Sequence, residues 1–183
     1  MNTTTPTIAR QLSIPLVALA SGLFLAGVIA GGVTYLERSP ERQPFVPGTD
    51  ALWQHIILAL VASTIFIVIE RRRAQPHSPI VLLAPLGKSA AHRIRYTFAS
   101  VPRRPKTIFR LLAAIPPAAL LLFGPFRMGI QVLGGLDPNF TVNAWGGPSY
   151  LGAMAFHYFD GALMMVAAAW LLDRLLLRDT RSV

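Results

Sequence analysis

The stretch MAFHYFDGALMM, from Met154 to Met165, sets an imidazole at His157 and a carboxyl at Asp160 inside an otherwise apolar run. On a helix, residues three apart share a face. An imidazole and a carboxyl there can bond to one another, pass a proton or bind a cation. His55 enters near the outer end of another apolar run and Arg127 near the outer end of a third, so Asp160, His157, Arg127 and His55 are predicted to form a polar cluster within the membrane. A carboxylate at bilayer depth costs several kcal/mol unless it is neutralised or paired, which makes such a group a functional candidate by default. The favoured expectation is that Asp160 is protonated, or bonded to His157, Arg127 or carbonyls of the third run, and locks the bundle. A proton or cation relay is the second. A metal or haem site using His55 and His157 is the third, and it lacks any further ligand set, so the expectation is no metal and no cofactor. No hydrolase triad and no carboxylate pair occurs, so no catalytic residue is assigned.

The elements that must position these groups follow from composition. The chain has 183 residues, 53% hydrophobic and 14% charged, with mean hydropathy +0.50, too apolar and charge-poor for a soluble domain of this length. It contains no cysteine, which excludes disulfides, thiolate catalysis and Cys-ligated zinc or iron–sulfur centres within the chain. Its net charge is +9, but the basic residues flank apolar runs, so the predicted partner is anionic lipid rather than nucleic acid.

Four apolar runs are read as spans, over 13–36, 52–70, 107–126 and 150–172, within a single polytopic domain. A helix needs about 20 residues to cross some 30 Å of hydrocarbon. The first run is long for a signal peptide and continues past the small residues near Ala26 and Ala30, so its retention is expected. The third contains Pro116 and Pro117, a predicted kink that frees the carbonyls of Leu112 and Ala113, and is closed at Gly124-Pro125. The predicted fold is an all-α membrane protein, a four-helix transmembrane bundle.

Lysine and arginine set the orientation. They crowd the loop 71–106 and follow the last run, whereas Arg38, Arg42 and Arg127 are the only basic residues on the other side. Both termini are therefore expected in the cytoplasm, with Arg71, Arg72, Arg73, Arg103 and Arg104 on lipid headgroups. The loop contains KSAAHRIRYTFASV, where Ile94, Phe98 and Val101 suit one side of a short interfacial helix. APLGKSA superficially resembles a phosphate loop but lacks the earlier glycine, and is discarded. The outer loop, 127–149, is apolar enough to fold back or dip into the interface. It carries Asn139-Phe140-Thr141, a glycosylation pattern that is common by chance.

On the first run, Gly22, Ala26 and Ala30 follow at spacing four, with the GxxxG pair Gly27 and Gly31 beside them. Small residues let helix backbones approach closely, so a packing seam is expected, against another span or a second copy. At 1.5 Å per residue, His157 falls about 10 Å and Asp160 about 15 Å below a start at Tyr150, close to the midplane.

These features favour a non-enzymatic accessory or packing subunit acting through contacts with other membrane components. A small transporter or proton relay using the Asp/His cluster is the alternative, and a membrane-embedded redox or lipid-modifying enzyme the third reading. The expected location is the plasma membrane of a bacterial cell.

Overall fold

A computed structural model describes residues 11–72 and 85–178. Arg73, the loop positions up to 84 and Arg181, all assigned above to the cytoplasmic side, lie outside the described residues. Among the described residues the protein is all-helical, with no strand and six helices: α1 (Ile14–Leu36), α2 (Leu52–Arg72), α3 (Lys88–Ala99), α4 (Thr107–Gly134), α5 (Pro138–Thr141) and α6 (Tyr150–Leu175). Three of them, α1, α4 and α6, are long and apolar enough to cross a membrane; at 1.5 Å per residue they measure roughly 34, 42 and 39 Å. Helix α2 is apolar over Leu52–Val68, about 26 Å.

Helix α4 departs from the sequence expectation at its end. It stays helical through Pro116, Pro117 and Pro125 and continues to Gly134, so Arg127 belongs to a helix and the connection to α6 starts later than expected. A proline removes one amide donor and crowds the carbonyl four residues back. It does not forbid helix where apolar burial on either side continues, and in α4 the apolar pattern resumes beyond Pro125. Pro117 is buried and Pro116 exposed.

The chain divides into two compact units, and the division falls inside α1, α4 and α6. The first takes the described residues of Met1–Gly22, His77–Gly124 and Ala162–Val183. In it, the Ser13 amide donates to the Leu86 carbonyl at 2.8 Å, tying the start of α1 to the entry of α3. On helix α3, Phe98 of the apolar side is 62% exposed, while its neighbour Thr97 is fully buried. The Thr97 hydroxyl donates to the Arg93 carbonyl at 2.7 Å and accepts from the Leu177 amide at 3.0 Å, so polar contacts hold this buried position. Gly124 leaves room for the Met165 side chain, which a Cβ there would displace.

The second unit takes the described residues of Leu23–Pro76 and Pro125–Gly161. Gly27 and Gly31 of α1 are buried, and a Cβ on either would overlap the backbone of Phe126 or Ile130 on α4. Gly129 answers from α4, where a Cβ would overlap the Phe24 carbonyl. The two backbones therefore touch, the close contact that small residues permit where lipid supplies no hydrophobic drive. Of the other small residues singled out on α1, Ala26 is exposed, Ala30 half-buried, and Gly22, in the first unit, has nothing within 4 Å of a Cβ.

A small core of Ala144, Ala153 and Met154, covered by Phe140, Tyr150 and Tyr158, joins the start of α6 to the loop before it. That loop also holds the segment between α1 and α2. The Asn139 side chain accepts from the Gln43 amide and donates to the Glu41 carbonyl, both at 2.8 Å, and Asn143 accepts from the Val46 amide at 2.8 Å and donates to the Pro44 carbonyl at 3.4 Å. Each carboxamide stands in for a peptide group and satisfies a backbone that has no secondary structure of its own. The nitrogen of Asn139 that a glycan would occupy is engaged in this clip.

Candidate functional site

The candidate site belongs to the second unit and begins at the entry of α2. The Ala51 amide donates to the Trp145 carbonyl at 2.9 Å, which fixes the turn leading into the helix. One turn later His55 points inward. Among the described side chains of α2 it is the only buried one, at 7% exposure. Phe156 meets the imidazole edge to face, with centroids 4.6 Å apart at 81°, and Trp145 lies at 5.4 Å. The ring is thus walled by aromatic carbon, and its two nitrogens are the polar atoms that need partners.

Both have one. Nδ1 lies 2.8 Å from the Ala51 carbonyl oxygen, and Nε2 lies 3.1 Å from Asp160 Oδ2 on α6. A carbonyl and a carboxylate oxygen accept, so each of these contacts is a hydrogen bond when the ring nitrogen facing it carries the hydrogen. The imidazole thereby links α2 to α6. The Asp160 side chain is 22% exposed against 8% for His55, so the carboxyl forms the open side of the pair.

The other two predicted members stand apart from this bond. Among the described residues the hydrogen bond of Asp160 runs to His55 and not to His157, its neighbour on the same helix face. His157 packs edge-on against Phe140 with centroids 6.1 Å apart, and the Arg127 guanidinium lies over the same ring at 5.3 Å. Phe140 thus takes a cation on its face and an imidazole at its edge, a geometry suited to the ring quadrupole. The sequence offers the right residue types, but an i,i+3 neighbour is the only partner that periodicity can reveal. Phe140, Trp145 and Phe156 organise the site without having been assigned to it; the aromatic content of the loop points to the first two, and Phe156 lies on α6 itself.

Among the described residues, no three of His, Cys, Asp or Glu gather closely enough to hold a metal ion. Of the arginines predicted at lipid headgroups, Arg71, Arg103 and Arg104 are exposed. Two other arginines do structural work at the end of α6, in the first unit. Arg93 bonds the Asp173 carboxylate and the carbonyls of Asp173, Leu176 and Leu177, and Arg110 donates to the Leu175 carbonyl at 3.3 Å. The last carbonyls of a helix have no partner within it and carry its negative pole, so guanidinium groups suit them in both hydrogen bonding and charge.

Compared with protein-family models, curated proteins and solved structures, the chain finds no match in any of the three.

Proposed function

We propose that the protein is a non-enzymatic integral membrane subunit that works through contacts with other membrane components. It forms a single polytopic domain of four spans, α1, α2, α4 and α6, with both termini in the cytoplasm of a bacterial cell. The observation that carries this reading is the state of α2. Its one buried side chain among those described is the polar His55, while Trp53 is 73% exposed, Leu60 65% and Ile57 62%. A helix anchored by one polar pair, with its apolar surface uncovered by its own chain, offers that surface to lipid or to the apolar face of another membrane protein. The arginine-rich side supports the orientation, through attraction to anionic headgroups.

Purification in mild detergent is expected to bring down one stoichiometric membrane partner, and mutation of Ile57 and Leu60 to alanine should release it. A lone monodisperse chain would count against the subunit reading. Single cysteines test the topology: Arg42→Cys should be labelled from outside and Arg103→Cys only after permeabilisation, and the reverse pattern would overturn the orientation.

The hydrogen bond of His55 to Asp160, two groups able to exchange a proton, supports a second reading, a proton relay. It requires that reconstituted vesicles conduct protons and that Asp160→Asn abolish the flux while leaving the fold intact. Absence of flux in the unmodified protein removes it.

A further inference from the structure

The first unit holds a cavity of about 530 Å³ at the end of α6, with Arg93, Arg110, Arg174 and Arg178 in its wall and, among the described residues, Asp173 as the one carboxylate lining it. A second, of about 450 Å³, is lined by Arg104, Lys106 and Arg110 together with Leu177, so Arg110 and Leu177 belong to both. The four guanidiniums of the first cavity are not equally committed. Arg93 is consumed by Asp173 and the helix-end carbonyls. Arg110 gives one contact to Leu175, Arg178 one to Asp173 at 3.5 Å, and Arg174 lies over the Trp170 ring at 5.0 Å. A guanidinium has five N–H donors in a planar fork, so among the described residues these three have donors beyond the contacts named, able to converge on one anion.

The surroundings narrow the class of anion. Leu176 and Leu177 give the cavity an apolar wall, and Trp170, 60% exposed, lies one turn before the end of the helix. A tryptophan next to basic residues at the end of an apolar helix marks the headgroup level of a membrane. Planar forks matched to tetrahedral oxyanions are the usual protein answer to phosphate. We infer that this cavity is a binding site for a phosphate group, carried by an anionic lipid headgroup or by a free phosphorylated small molecule.

The test uses the full chain in nanodiscs of zwitterionic lipid doped with a phosphatidic-acid-type lipid, with inorganic phosphate as competitor. Saturable retention of the lipid is expected, and Arg174→Gln with Arg178→Gln should weaken it about tenfold or more, since a hydrogen bond from a charged donor is worth about 1.5 kcal/mol or more and each 1.4 kcal/mol is tenfold. Both side chains are exposed, so the fold should survive. The doubly lysine-substituted form, with charge but no fork, should recover part of the affinity. Competition by millimolar phosphate identifies a site for the phosphate group as such, and retention of lipid without that competition identifies a lipid site. Equal loss in the charge-matched control Arg38→Gln with Arg42→Gln, equal binding of an alkyl sulfate, or unchanged binding in the arginine variant would each overturn the inference.

Discussion

Asp160 and Asp173 are carboxylates on the same helix, each bonded to a side chain from elsewhere in the chain, and the two contacts differ in kind. Asp160 meets an imidazole walled by Phe156 and Trp145. Asp173 meets Arg93 and Arg178 at 50% side-chain exposure, and a guanidinium keeps its charge at any ordinary pH. The first joins two helices through a hydrogen bond set among aromatic carbon. The second ties down a helix end through a permanent charge.

Removing the permanent brace should have the larger effect. Arg93→Ala removes this donor from three carbonyls and leaves the Asp173 carboxylate with Arg178 alone, and with the Arg93 side chain only 12% exposed the expected loss is about 3 kcal/mol, read as a lower unfolding midpoint in detergent. Arg93→Lys should recover only part of it, because a point charge replaces a fork. Full recovery by lysine would mean that charge alone holds the helix end.

The contact between α1 and α4 belongs to the same unit as the His55–Asp160 pair and is the next largest effect. Gly31→Ala should destabilise by about 2 kcal/mol, since the new methyl overlaps the Ile130 backbone rather than a movable side chain. Gly22→Ala, with open space at its Cβ, should be neutral or stabilising by up to about 1 kcal/mol from helix propensity. Equal effects at the two positions would contradict the packing described.

These positions also measure how far the sequence could be read. The long apolar helices are legible, because an apolar run of that length with so few charges has few other uses. The small-residue stripe on α1 is half legible: spacing shows that Gly22, Ala26, Gly27, Ala30 and Gly31 are small, but only the groove on α4, set by Gly129, decides which of them are touched. The end of α4 is not legible, because Gly124-Pro125 looks like a stop and the helix passes through it. Helix α3 is legible as a helix, but the burial of Thr97 is not, since its two hydrogen bonds are encoded by no hydropathy pattern. At the candidate site His55 and Asp160 are both visible as intramembrane polar groups, yet their bond spans 105 positions of chain. Periodicity sees only the neighbour on the same helix, His157.

The smallest effects are expected at Asp160. Asp160→Asn can donate from its amide to Nε2 of a neutral His55, so it should cost less than about 1 kcal/mol, whereas Asp160→Leu leaves that nitrogen without a partner and should cost about 1–3 kcal/mol. Thermal unfolding of the two variants side by side checks the order, and an asparagine as damaging as leucine would show that the amide cannot replace the carboxyl.

The central claim is that His55 and Asp160 act on each other across two helices, and a double-mutant cycle measures that directly. His55→Ala, Asp160→Leu and the double variant, each unfolded in the same detergent, should show a coupling of about 1–2 kcal/mol, the double variant being less damaged than the sum of the two single ones. Additive losses, with coupling within about 0.3 kcal/mol of zero, would contradict the account and leave the two side chains as independent neighbours.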